Sequence, residues 1–190
     1  MAAGLETVRA VKAGPPLRND LLVLITDAEE LGLLGAMAFA RDRSEAKEVG
    51  AVVNLEARGT SGPSILFETT TGNGRLLEVF AEVSPRPVTT SLAAEVYRRM
   101  PNGTDLMVFK EVGMPGVGFA FIHDVKNYHM PGDNLENLDP RSLQHQGENA
   151  LALARAYGGI DLTNVRAPDA VFFDVLAAVD DGPEGCAAGE

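Results

Sequence analysis

Apolar and polar positions along this chain follow two periods. Residues 2–13 put Leu5, Val8 and Val11 on one side and Glu6, Arg9 and Lys12 on the other, which is helical spacing. Gly14-Pro15-Pro16 ends that helix. Residues 21–25, Leu-Leu-Val-Leu-Ile, form a continuous apolar run of strand length, expected of a strand covered on both faces. Helical character returns over 31–43. Residues 49–55 predict a second buried strand, and 64–68 a third after the turn Gly59-Thr60-Ser61-Gly62-Pro63. Helices are expected over 75–83 and 92–99, with a short one over 104–111, and a strand over 117–122. A polar loop covers 123–137. The last helix, 142–157, is apolar at Leu143, Ala150, Leu151 and Ala154, puts His145 on its polar face, and stops at Gly158-Gly159. Strands alternating with helices predict an α/β domain with a mostly parallel sheet.

Composition narrows the function. The chain has 190 residues, of which 45% are hydrophobic and 23% charged, suited to one domain with a sizeable core. Its formal net charge of −11 repels phosphate backbones, so nucleic acid is not an expected partner. Beyond Ala167 the charged residues are all acidic (Asp169, Asp174, Asp180, Asp181, Glu184, Glu190), the mark of a solvated tail. Cys186 stands alone, which excludes an internal disulfide and a cysteine-based metal site. No apolar stretch reaches the roughly 20 residues of a membrane span, and the N-terminal residues carry no signal-peptide pattern, leaving the compartment open.

Three predicted strands run directly into reactive side chains. The first leads to Asp27, Glu29 and Glu30, the second to Glu56, and the strand over 117–122 to a loop with His123, Asp124, Tyr128, His129 and Asp133. Ligands of open α/β sheets bind beyond the carboxyl ends of the strands, so parallel strands would bring these groups to one edge. Carboxylates with imidazole suit a divalent metal, zinc above all. Each group also has an ordinary structural reading. Acids at 27–30 can open a helix, with Thr26 or Asp27 as its cap. Glu56 can pair with Arg58, and His129 can be a surface histidine.

The block from Thr26 to Ala36, T-D-A-E-E-L-G-L-L-G-A, resembles the E-E-x-G-L-x-G signature of the co-catalytic two-zinc aminopeptidases, a family that includes the endoplasmic-reticulum metallopeptidases. Asn54-Leu55-Glu56-Ala57-Arg58-Gly59, Gly103-Thr104-Asp105-Leu106-Met107-Val108-Phe109 and Tyr128-His129-Met130-Pro131-Gly132-Asp133 resemble its later blocks in order. The resemblance implies a three-layer α/β/α zinc-peptidase domain with a mixed, mainly parallel sheet. It implies aminopeptidase-type hydrolysis of a peptide substrate by water activated at two zinc ions. Carried over by position, Glu29 is the general base, Glu30 and His129 bind one zinc, and Glu56 binds the other. Asp105 supports the site and Tyr128 helps polarise the substrate carbonyl.

The same resemblance implies an incomplete ligand set. The family's H-x-D block and bridging Asp belong before the first helix, and no His precedes His123. Residues 1–160 then correspond to the C-terminal portion of a catalytic domain, truncated at its N-terminal side. Residues 161–190 correspond to a linker like that of the membrane-anchored branch, followed by an acidic tail expected to be mobile. Two other readings stay open: a non-catalytic binding or dimerisation module of this fold, and a one-zinc, glutaminyl-cyclase-like acyltransferase. The oligomeric state is not legible.

Overall fold

In the strand β3, Gly116–Phe121, small and large side chains alternate: Gly116, Gly118 and Ala120 against Val117, Phe119 and Phe121. Successive strand residues point to opposite faces, so one face of β3 is bulky and the other nearly bare. The computed structural model describes residues 1–100 and 103–173 and buries the whole of β3. β3 is the centre of a three-stranded mixed sheet. β1, Val52–Ala57, runs parallel to it on one side. β2, Ile65–Thr69, runs antiparallel on the other.

On the bulky face, Val117 and Phe119 pack with Leu66 of β2, with Leu76 and Phe80 of α3 (Gly74–Val83), and with Leu153 and Tyr157 of α6 (Pro140–Gly159). Complete burial of side chains of this size stabilises by roughly 1.5–3 kcal/mol each. On the bare face lies α5, Asp105–Glu111, with Leu106 fully buried against the sheet. A Cβ on Gly116 would stand 2.8 Å from Leu106 Cδ1 and 2.9 Å from Val52 Cβ, so only glycine admits the helix this closely. α2, Leu34–Asp42, closes this second core, where Phe39 meets Phe109 edge to face at 6.1 Å. Helices thus cover both faces of the mixed sheet, the expected α/β architecture. α1, Ala2–Lys12, packs on α6, and α4, Ser91–Tyr97, packs on β2.

The expected strand at 21–25 does not form. Its five apolar residues are 39–54% exposed and pair with no strand among the described residues. An apolar run asks for burial, but a strand also needs a neighbour for its N–H and C=O groups. β1 and β2 each form a ladder with β3 alone, and the run pairs with neither outer edge of the sheet among the described residues. The helix expected over 31–43 begins only at Leu34, because Gly32 (φ +108°) and Leu33 (φ +60°) are left-handed. The acids at 27–30 therefore do not sit in a helical first turn, and the helix-dipole reading of them falls.

His145 is also corrected. It is buried, on a face of α6 that begins with the polar residues Ser142, His145, Gln146 and Asn149. Counting apolar positions misses such a face because hydrogen bonds, not apolar area, compensate its burial. The Ser64 N–H donates to His145 Nδ1 at 3.0 Å, so the ring proton sits on Nε2, 2.8 Å from the Arg86 carbonyl that accepts it. Asn149 Oδ1 accepts from Ser84 Oγ at 2.7 Å.

Residues 161–173 run back against the domain. Val165 is buried in the main core, and Asp169 Oδ1 accepts from the Gly72 N–H at 2.6 Å. The acidic stretch expected to be mobile lies outside the described residues. Among the described residues, no helix is long and apolar enough to cross a membrane.

Two outcomes are expected. Gly116→Ala forces Leu106 and Val52 apart and destabilises by about 1–3 kcal/mol in urea unfolding. His145→Gln tests the buried imidazole. Burial lowers the His145 pKa, opposed by the bond to the Arg86 carbonyl. Below about pH 6.5 the unfolded chain then binds more protons at this residue than the folded one, so its contribution is complete above that pH and is lost as pH falls. The stability gap between wild type and His145→Gln should be roughly 1–3 kcal/mol at pH 8 and narrower at pH 5. An unchanged gap would mean that His145 titrates alike in both states.

Candidate active site

The sheet brings its chemistry to one edge through its parallel pair. β1 and β3 run in the same direction with Ala57 opposite Phe121, so the residues that follow them emerge together. Near the end of β1, Asn54 and Glu56 lie on the α5 side, and Asn54 Nδ2 donates to Glu56 Oε1 at 3.0 Å. Beyond β3 the loop is pinned by Asn127 Nδ2, which donates to Thr60 Oγ1 at 3.1 Å. This loop delivers Tyr128 and His129, whose rings stack at 3.8 Å.

The third contribution comes from a turn where a strand-to-helix junction is expected. Gly32 and Leu33 N–H groups both donate to the Glu29 carbonyl, at 3.0 and 2.8 Å. The Gly35 N–H donates to the Asp27 carbonyl at 3.0 Å, and a Cβ on Gly35 would lie 2.5 Å from that oxygen. Glycine is needed there for the chain to fold back on itself, and the fold-back directs Glu29 and Glu30 toward the loop of His129. Glu30 Oε1 and His129 Nε2 meet at 2.7 Å, across 99 residues of sequence. Ala28 (φ +57°) and His129 (φ +56°) are both left-handed. Each such non-glycine residue costs roughly 1–2 kcal/mol, which the surrounding bonds must hold in place.

The first residue of α5 joins these parts. Asp105 is buried, and its Oδ2 accepts a hydrogen bond from Thr26 Oγ1, just ahead of Asp27. Thr26 is therefore tied to α5 and caps no helix. The other oxygen, Asp105 Oδ1, is buried without a hydrogen-bond partner among the described residues.

Carboxylates crowded out of water hold their protons. Burial pushes the Glu56 carboxyl up to about 7, against the Asn54 hydrogen bond and with help from the charges of Glu29, Asp105 and Glu68. Glu29 is also raised, first by burial and then by Glu30 and Asp105, while His129 opposes. Burial and the Glu30 charge raise the Tyr128 phenol. These mutual effects mean that Glu29, Glu30, Glu56, Asp105, Tyr128 and His129 share one neighbourhood. His123, by contrast, is exposed and pairs through its backbone with Ser61.

Sequence reasoning missed Glu68 and Thr104. Glu68 is buried and accepts from Thr104 Oγ1 at 2.7 Å, beside the start of α5. In a regular strand Glu68 would share a face with Leu66. A bulge between them shifts the register and turns Glu68 to the α5 side. The available signal was an acid at an apolar position of a short strand. Arg58 was noted only as a partner for Glu56. Its guanidinium instead lies over the Tyr128 ring, 5.4 Å from the centroid.

The model for peptidase family M28 matches residues 1–154. The chain belongs to peptidase family M28. This M28 chain is 31% identical over 183 residues to endoplasmic reticulum metallopeptidase 1 of Rattus norvegicus, covering 92% of the chain and 20% of that protein. It is 34% identical over 143 residues to putative endoplasmic reticulum metallopeptidase 1-A of Caenorhabditis elegans, covering 74% of the chain and 16% of the relative. It superposes with TM-score 0.61 on a zinc aminopeptidase from Bacillus subtilis, at 22% identity, covering 85% of the chain and 41% of the other. The M28 chain thus spans about a fifth of the length of such curated relatives.

The donor types fit zinc, but the number of donors does not. Catalytic zinc takes three protein ligands and an open position. Among the described residues of this M28 chain, no three His, Cys, Asp or Glu side chains stand close enough to hold one ion. The Glu30–His129 pair is half exposed or more, at 64% and 54% of the two side chains.

Thr26→Val should leave both Asp105 oxygens buried and unbonded and cost about 1–3 kcal/mol, read from urea unfolding. A loss under a few tenths would show that the turn is not held through α5.

Proposed function

We propose that this chain carries the proton-transferring glutamate and part of the metal-binding side chains of a zinc-dependent exopeptidase of the aminopeptidase type. The observation that carries this reading is the Glu30–His129 contact at 2.7 Å, made beside a Glu29 whose carboxyl is held above its ordinary range. Glu30 and His129 would hold one zinc ion and Glu56 a second, with the remaining ligands coming from outside the described residues. Zinc, when bound, lowers the pKa of water and polarises a carbonyl. A carboxylate with a raised pKa is a stronger base toward the proton of an attacking water. Glu29 would then return that proton to the nitrogen of the departing peptide, so that the C–N bond breaks with a neutral amine leaving. Tyr128 would donate its phenolic hydrogen to the substrate carbonyl, and the raised phenol pKa keeps that hydrogen in place. Asp105 would act at a distance, by fixing Thr26 and the turn that bears Glu29.

The reading of a non-catalytic module draws no comparable support. A surface kept only for docking would have no need to hold carboxylates out of water beside one another. The acyltransferase reading has no observation of its own.

Two measurements together test the proposal: metal content, and hydrolysis of an aminoacyl-anilide. With its two-donor pair, the 190-residue chain should bind zinc weakly and turn over little. Joined to the remaining part of a family catalytic domain, it should be active. In that protein, Glu29→Gln should keep its metal and lose roughly 10²–10⁴-fold in turnover. Glu30→Gln should lose metal. Full activity in Glu29→Gln would mean that another group moves the proton.

A further inference from the structure

Most arginines of this acidic chain have found a carboxylate: Arg9 pairs with Glu6, Arg18 with Asp161, Arg86 with Glu148. Arg58 has not. It stands two residues beyond Glu56, its backbone N–H donates to the Phe121 carbonyl at 3.2 Å, and its side chain is exposed. Its guanidinium makes no ion pair or hydrogen bond among the described residues, and its Cζ stands over the Tyr128 ring, 5.4 Å from the centroid. Its charge also reaches the Tyr97 phenol, which feels Glu68 and Glu56 too. Arg58 therefore sits at the rim of the carboxylate cluster, against the residue adjoining His129.

A guanidinium held over an aromatic ring by a cation–π contact keeps N–H groups available for a further acceptor. Those N–H groups form a planar fork matched to a carboxylate, and the Tyr128 contact keeps the guanidinium beside the loop of His129 before any ligand arrives. The neighbouring acids repel any anion that lacks such a partner. An unpaired fork at the rim therefore favours a negatively charged group there.

We infer that Arg58 is a specificity-determining residue that binds a carboxylate of the peptide substrate; this rests on the peptidase reading above. The carboxylate has two possible sources, the free C-terminus of a short peptide or an acidic side chain on its first residue. Either would place the peptide with its scissile bond toward Glu29 and one anionic end on Arg58.

The test uses the full 190-residue chain and needs no turnover. Alanyl-alanine, alanyl-alanine amide and glutamyl-alanine amide are titrated while the Arg58 Nε–H resonance and the Tyr128 ring signals are followed by NMR. At least one of the two carboxylate-bearing probes should bind about ten-fold or more tightly than alanyl-alanine amide and shift the Arg58 resonance, as expected of a charge-assisted pair. Which of them does so identifies the source. Arg58→Gln should bind all three alike, and Arg58→Lys should recover only part of the preference; unchanged dispersion of the other amide signals verifies that both variants fold. Equal binding of all three by the wild type overturns the role of Arg58 while leaving peptide binding intact. No binding of any probe overturns the role and weakens the peptidase reading with it. A preference that survives in Arg58→Gln assigns the carboxylate to another group and overturns the inference.

Discussion

The candidate site depends on how near α5 can come to β3. A helix packed on a sheet normally stands off by the depth of two side chains. Here Gly116 and Gly118 remove one of those layers, and Leu106 fills the gap. The N-terminal end of α5 is thereby brought to the level of the sheet edge, with Thr104 and Asp105 beside Glu68, Glu56 and the turn that begins at Thr26. Two of the polar contacts that organise the acids, Thr26 with Asp105 and Thr104 with Glu68, lie at that end of the helix. The bulky face of the same strand carries the principal core, so the stability of the domain and the geometry of the site are set by alternate residues of one strand.

Crowding the carboxylates has a cost. Several acids drawn out of water raise one another's pKa, and in the metal-free chain that repulsion weakens the fold at neutral pH. The fold tolerates it because polar neighbours act on particular oxygens: Asn54 on Glu56, Thr104 on Glu68, Thr26 on Asp105. Asp105 Oδ1 remains without one. A cation beside the cluster would relieve that repulsion directly.

Much of this was legible in the sequence. Helices and strands from residue 49 onward follow their apolar spacing closely, and most of them pack into the two cores. The order of the E-E, N-L-E, G-T-D and Y-H blocks identified the family, and in the structure Glu30 and His129 from the first and last of them meet. The failures share one cause. Apolar spacing reports which residues seek burial, not what they pair with. Residues 21–25 read as a strand and have no described ladder. His145 reads as a surface residue and is buried, because Ser64 and Arg86 satisfy both of its ring nitrogens. Glu68 was overlooked because a bulge, invisible to alternation, changes the face it occupies.

That bulge makes β2 a strand of two parities. Ahead of it Leu66 belongs with Phe119 in the main core; after it Glu68 belongs with Gly118 on the side of the acids. A regular strand would bind both residues to one layer, and any change in the polar layer would be transmitted to the apolar one along the same face. The extra residue breaks that phase relation. Substitutions at 68 can be accommodated among Thr104 and its neighbours while the packing of Leu66 stays as it is, so the two layers of this domain are free to diverge at different rates.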